Sequence, residues 1–292
     1  MRIETRIGVV KVSQLLERDM GNSIMDLTER QQRERDEYNE RIRQSHLTEV
    51  DFEHFNHPRF GPWNPYWFIY DYVRTNFSPE KHELLSYGCG QGANALRLAH
   101  LGFRVSGFDI SDGNVGVANM LAEKYGYADR TAFTVQAAEA LEYPSDSFDV
   151  VAGDNVLHHV DLEKAIPELH RVLKPGGVAL FKDSLQTPFR DRIRSNPPVT
   201  WILPVGVKNR VRGTHYRDTD DERPLNDGDF EIFRRHFPNT EAVKFRVLAV
   251  FGGVINNRPL LERCDYYMFK VLPFLRRFGD NVVVILKKNL EN

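Results

Sequence analysis

The run Leu84-Leu85-Ser86-Tyr87-Gly88-Cys89-Gly90-Gln91-Gly92 constrains this chain more than any other feature. An apolar strand signal runs into three alternating glycines and then into a helical pattern. Glycine lacks a Cβ, so it can adopt the sharp turn and let a ligand lie against the backbone at the carboxyl end of a strand. Around this turn, residues 83–184 alternate short strand-like and helix-like segments. Strands are predicted over Glu83–Tyr87, Phe103–Phe108, Thr131–Val135, Phe148–Gly153 and Gly177–Asp183. Helices are predicted over Gln91–Leu101, Asp112–Tyr125 and Leu162–Leu173. Such alternation implies a parallel sheet with helices on both faces.

The flanks read differently. Residues 1–82 form a helical extension or lid. Asn22 or Ser23 is placed to cap a helix running to about Gln44, whose charges alternate in sign and whose apolar stripe is sparse. Asn64 followed by Pro65 marks a second helix start within an aromatic segment, Phe60–Tyr72. Residues 83–292 form the main domain, with specificity insertions at about 185–226 and 251–277. Beyond the first insertion, a helix is predicted over Asp227–Phe237 and strands over Glu241–Val250 and within Asp280–Lys287.

Charge narrows the function. Lysine plus arginine number 39 and aspartate plus glutamate 41, a net −2 that argues against nucleic acid as a partner. Two cysteines, Cys89 and Cys264, are too few for a disulfide framework or a four-cysteine zinc site. No clustered carboxylates at ligand spacing call for a metal. Residues 1–23 are broken by charges and lack a secretory pattern, and no apolar run approaches the ~20 residues of a membrane span. The expected location is cytoplasmic, or peripheral on a membrane.

Asp109 lies 21 residues after Gly88 and ends the second strand. A carboxylate there can accept hydrogen bonds from both hydroxyls of a ribose. Gly88, Gly90 and Ala93 also satisfy the G-x-G-x-x-A form of the dinucleotide fingerprint. A nicotinamide-dependent oxidoreductase is therefore one reading of the glycine loop taken alone.

Further motifs point elsewhere. Gly107-Phe108-Asp109-Ile110-Ser111, Ser147-Phe148-Asp149-Val150-Val151, Asn155-Val156-Leu157-His158-His159-Val160 and the helix ending Leu173-Lys174-Pro175-Gly176-Gly177 follow the glycine loop in order. Over residues 80–185 the chain resembles the class I S-adenosylmethionine-dependent methyltransferases. The resemblance implies a Rossmann-like, mostly parallel seven-stranded α/β sheet with helices on both faces and a final antiparallel hairpin. It implies S-adenosyl-L-methionine as cofactor. Gly88, Gly90 and Gly92 would approach its methionine portion, Asp109 would hold the ribose and Ile110 would pack on the adenine. Ala137 and Ala138 would meet the adenine edge, with Asp154 and Asn155 near the methionine end. Two positions depart from the pattern. Ser86 stands where the family usually carries an acid, and Ala137 where it often carries aspartate.

The function implied is methyl transfer by in-line displacement to a small-molecule or glycan acceptor, at oxygen. A lipid-linked acceptor is included if the chain meets a membrane. A non-catalytic cofactor-binding or regulatory module is the alternative from a different class. His158 and His159 are candidate bases by residue type and position, with a packing role competing for at least one of them. His215 is a rival, as are Tyr216 and Asp218 beside it. Cys89 reads as a small packing residue, and Asp149 as a holder of strand geometry. The stretch Arg258–Arg277 mixes apolar and basic residues. It reads first as core packing or a homodimer interface, and otherwise as a peripheral membrane contact through 258–277.

Overall fold

The computed structural model describes residues 27–187, 223–248 and 257–290. Seven strands form one sheet in the order β3-β2-β1-β4-β5-β7-β6. They are β1 (Glu83–Tyr87), β2 (Arg104–Asp109), β3 (Thr131–Val135), β4 (Phe148–Asp154), β5 (Leu173–Ser184), β6 (Glu241–Phe245) and β7 (Asn281–Lys287). β1 to β5 pair in parallel, with Leu84 opposite Val105 on one side and Val150 on the other. β7 inserts antiparallel between β5 and β6. The final antiparallel hairpin is the arrangement the resemblance implied.

Period-two burial on both faces explains the apolar strands. Along β7, Val282, Val284 and Leu286 pack with Leu85, Tyr87 and Phe181 on one face. Val283 and Ile285 pack with Leu84, Val105, Val150 and Leu180 on the other. α5 (Leu162–Val172) and α6 (Asp227–His236) cover the first face, and α2 (Pro65–Asn76), α3 (Ala93–His100) and α4 (Asp112–Tyr125) the second. Side chains alternating across a pleated strand require two apolar layers when both faces are covered.

Helix ends follow local chemistry. Asn64 caps α2 through its side-chain oxygen, with Pro65 at the first position. Ser111 caps α4, and Gly126 ends it in the left-handed region. α1 (Glu29–Gln44) starts later than the sequence pattern indicated, because Thr28 and Gln31 form a capping box there. Asn22 and Ser23 lie outside the described residues. α1 packs on α4, where Asn39 Nδ2 donates to Asp112 Oδ1 at 2.6 Å. Asn39 Oδ1 accepts from the Ser111 hydroxyl at 2.6 Å and the Gly113 amide at 3.1 Å.

Gly92, at φ +81°, joins the turn to α3, and a Cβ there would stand 2.8 Å from Ala118 Cβ on α4. Gly92→Ala therefore costs roughly 1–3 kcal/mol through overpacking, with left-handed strain added. Chemical denaturation reads this as a lowered midpoint at unchanged slope.

The stretch Arg258–Arg277 resolves into α7 (Arg258–Val271) and a 3-10 segment, Pro273–Phe278. Only part of it packs inward: Leu261 and Phe269 are buried, whereas Leu260, Tyr267, Val271, Leu272 and Phe274 are exposed. Those five side chains are not in this chain's core. Among the described residues, no helix is long and apolar enough to cross a membrane.

Candidate active site

The carboxyl ends of β1, β2 and β4 open onto a crevice of about 220 Å³. Its floor carries Gly88, Gly90, Asp109, Ile110, Asp154 and Asn155, with Ala138 and Val156 on the walls. The turn after β1 is left-handed at all three glycines, with φ of 62°, 51° and 81° at positions 88, 90 and 92. A Cβ on Gly88 would collide with Val156 Cγ2 at 2.6 Å, whereas one on Gly90 would meet nothing within 4 Å. Gly88 thus serves close packing, and Gly90 presents bare backbone to open space.

Asp109 organises the turn. Its Oδ2 accepts the Gly90 amide at 2.9 Å. Its Oδ1 accepts the Ser111 amide and the Asn114 side-chain amide, each at 3.0 Å. Burial pushes the carboxyl above its usual range, opposed by these same hydrogen bonds.

Asp154 ends β4 beside Gly88, because Tyr87 pairs with Gly153 across the sheet. Its Oδ1 is buried and accepts no hydrogen bond among the described residues, with Lys182 Nζ at 4.0 Å. Burial, reinforced by Asp183, raises its carboxyl to about 7 against the pull of Lys182. Asn155 adopts φ 53°, a conformation asparagine tolerates better than most residues. Asn155 Nδ2 donates to the Tyr66 hydroxyl at 3.2 Å, and its Oδ1 accepts from Lys182 Nζ. Lys182 also donates to the Tyr66 hydroxyl at 3.1 Å and lies over that ring.

Not every residue singled out in the sequence meets this crevice. Ser86 is buried and lines a second cavity of about 340 Å³ on the other side of the glycine turn. Ala137 bridges to Ala140 and lines a larger neighbouring cavity, so Ala138 alone of the pair reaches the crevice. The two histidines part company. His158 is buried with Nδ1 2.7 Å from Asp183 Oδ1, and it lines the larger cavity. His159 lines the crevice, with Nε2 3.3 Å from the Tyr38 hydroxyl and Nδ1 3.3 Å from Glu34 Oε1. Burial and the neighbouring His158, Arg41 and Arg30 drive the His159 imidazole down to about 3, which leaves it neutral at pH 7 and a weak base. His215, Tyr216 and Asp218 lie outside the described residues. Burial pushes the Cys89 thiol well up, which keeps it protonated and unreactive. Asp149 accepts the Glu83 amide at 2.8 Å and Lys174 Nζ at 2.7 Å, tying β4 to β1 and β5. Among the described residues, no cluster of histidine, cysteine and carboxylate side chains is arranged to hold a metal.

Sequence pattern did not single out which residues of the N-terminal extension face the crevice. α1 lays Gln31, Glu34 and Tyr38 over the crevice. Arg30 donates to the His159 carbonyl at 2.7 Å, and Gln31 to Glu139 Oε2 at 2.8 Å. The spacing 31, 34, 38 puts these residues on one helical face, but nothing local says what that face covers. Asn39→Ala removes the contacts that seat α1 on α4, at a cost of roughly 1–3 kcal/mol for the buried groups left unpaired. Amide hydrogen exchange should rise over residues 29–44 and stay slow in β1 and β4.

Comparisons with known proteins agree with this geometry. Residues 85–181 match the family described as methyltransferase domain. The chain is 41% identical over 107 residues to 27-O-demethylrifamycin SV methyltransferase of Amycolatopsis mediterranei, covering 36% of this chain and 39% of that protein. It is 32% identical over 166 residues to demethylmenaquinone methyltransferase of Leptospira interrogans, covering 51% of this chain and 64% of that protein. The chain thus matches each of these relatives over less than two thirds of its length. Geranyl diphosphate C-methyltransferase from Streptomyces coelicolor, solved with S-adenosyl-L-homocysteine, superposes with a TM-score of 0.57 at 14% identity. That match covers 90% of this chain and 99% of the neighbour. The oxidoreductase reading of the glycine loop is set aside by these matches and by the terminal hairpin. Residues 85–181 match a methyltransferase domain, and the sheet built around them has the fold of the class I S-adenosylmethionine-dependent methyltransferases.

Proposed function

We propose that this protein is an S-adenosylmethionine-dependent methyltransferase that methylates an oxygen of a small-molecule acceptor. The observation that carries the reading is Gly90, whose missing Cβ faces open space in a crevice also lined by the carboxylates of Asp109 and Asp154. Bare backbone beside two acceptors suits a nucleoside joined to an amino acid. In this reading Asp109 accepts the ribose hydroxyls, Ile110 and Ala138 sandwich the adenine, and Asp154 Oδ1, which accepts no hydrogen bond among the described residues, receives the α-ammonium. Ser86 carries no charge, and Asp154 supplies the negative charge from the adjacent strand. Gln31, Glu34 and Tyr38 close the roof and exclude water.

The bound cofactor would supply an activated methyl on a sulfonium, and its transfer to an acceptor hydroxyl would leave S-adenosylhomocysteine and release the hydroxyl proton to solvent. The protein's part is to align the acceptor and hold the water out. Tyr66, Lys182 and Asn155 form a polar cluster at the crevice edge that can orient a hydroxyl. The oxygen assignment also draws on the relative from Amycolatopsis, which is named for an O-demethylated compound.

Calorimetry on the full chain tests the first half. Micromolar binding of S-adenosylhomocysteine with none of NAD is the expected result, and no binding of either would refute the reading. Turnover with ¹³C-methyl cofactor tests the second half, because the carbon shift of the product separates an O-methyl from a C-methyl group.

A further inference from the structure

The crevice does not end at Asp154. Gly88, Gly90 and Asp154 also line the second cavity, whose other walls include Leu47, Phe55, Ile69 and Tyr70. Phe55, Tyr66 and Asn94 in turn line a third cavity of about 430 Å³. The three cavities therefore adjoin in a row from the glycine turn, each sharing wall residues with the next.

The distal chamber is cationic. Three guanidiniums, Arg59, Arg246 and Arg258, line it against one carboxylate, Glu262, while burial and the neighbouring arginines hold the His54 imidazole, also on the lining, toward its neutral form. Glu262 is buried and its oxygens are committed. Oε1 lies 2.9 Å from Arg246 Nη2 and 3.3 Å from Arg258 Nε, while Oε2 accepts Asn64 Nδ2 at 3.2 Å. Glu262 is shared between the two guanidiniums, and Asp280, outside the lining, is the further carboxylate that acts on Arg246. Arg246 follows β6 with its side chain only 9% exposed, and its Nη1 donates to Asn281 Oδ1 at 3.3 Å. Its Nε–H is buried with no partner among the described residues. An unused buried N–H donor is costly unless an acceptor meets it. Arg258 opens α7, so the positive end of that helix faces the same chamber.

We infer that the methyl acceptor has an apolar body and a phosphate or carboxylate terminus, and that Arg246, Arg258 and Arg59 bind this terminus in the distal chamber. This inference rests on the methyltransferase reading for the cofactor end of the path. Phe55 and Tyr70 pack the acceptor's body, and the anion fixes its register so that the far end reaches the crevice. Arg59 and Arg258 are exposed enough to be replaced without unfolding the chain.

The test is titration of the full chain, presaturated with S-adenosylhomocysteine, with inorganic phosphate and separately with benzoate at constant ionic strength. At least one of the two anions should saturate, phosphate if the terminus is a phosphate and benzoate if it is a carboxylate. Affinity should fall about tenfold in Arg258→Gln and further in the Arg59→Gln/Arg258→Gln double variant, as expected for lost charge-assisted contacts. S-adenosylhomocysteine affinity should stay within about twofold of wild type, since neither arginine lines the crevice. Failure of both anions to saturate, or equal affinity in the double variant, overturns the inference. Loss of S-adenosylhomocysteine binding in the wild type would instead overturn the methyltransferase reading and leave the anion titration to be judged separately.

Discussion

Replacing Asp109 with alanine weakens S-adenosylhomocysteine binding by about 100-fold. A charge-assisted hydrogen bond is worth roughly 1.5–3 kcal/mol and each 1.4 kcal/mol is tenfold, so losing two ribose contacts accounts for a change of that size. Protein donors already use Asp109, namely the Gly90 and Ser111 amides and Asn114 Nδ2, with the Ile110 amide also directed at the carboxylate. A carboxylate offers about four lone-pair sites, and bifurcation extends them, so capacity toward a ligand remains. Alanine would also release the Gly90 amide and slacken the turn. Asp109→Asn separates the two effects, because asparagine keeps one acceptor oxygen and most of the shape while losing the charge. Asn should fall between wild type and Ala in affinity, with an unfolding midpoint close to wild type. Wild-type affinity in a folded Asp109→Ala protein would remove the ribose contact from the assignment.

The second large effect is electrostatic and depends on pH. Asp154 is raised to about 7 by burial first and by Asp183 next. Only its ionised form can pair with an ammonium. Affinity for S-adenosylhomocysteine should therefore weaken as pH falls from 8 to 6 in the wild type. Asp154→Asn should bind more weakly by about 10- to 100-fold at pH 8 and show little change over that interval. Binding at pH 7 should release a proton from Asp154, so the measured enthalpy will track the ionisation enthalpy of the buffer in the wild type alone. Stability runs the other way. Because the folded carboxyl titrates above its ordinary range, the native state holds this proton more tightly than the unfolded chain. That contribution is full below about pH 4 and is lost as pH rises through about 7. The wild type should lose stability over this window relative to Asp154→Asn, as read by urea midpoints at each pH. Parallel pH profiles in the two proteins would show that Asp154 takes no part.

The two histidines show how far adjacency in sequence can mislead. His158 and His159 look equivalent as candidate bases after β4. The single 3-10 turn carrying them sends His158 down to Asp183 on β5 and His159 up to Tyr38 on α1. Neither partner is near in sequence, so no local pattern distinguishes the pair. Desolvation then leaves His159 neutral and poorly basic. Position 86 carries no acid, and the carboxylate beside Gly88 is Asp154, which the resemblance already placed near the methionine end. Register between β1 and β4 brings Asp154 alongside Gly88, and that pairing spans more than sixty positions.

From sequence alone came the features built by short-range rules: strands buried on both faces, the helix cap at Asn64, the glycine turn, and Asp109 at the end of β2. Each is set by neighbours a few residues away, through pleat, capping geometry and glycine's backbone freedom. Tertiary structure alone decided which residues of α1 face the crevice, that Asp154 Oδ1 is buried there with no hydrogen-bond donor among the described residues, and that Arg59, Arg246 and Arg258 share one chamber. Those facts depend on how the sheet is ordered and on what its helices are packed against. Burial then sets the charge each group can carry, and burial is a property of the assembled fold.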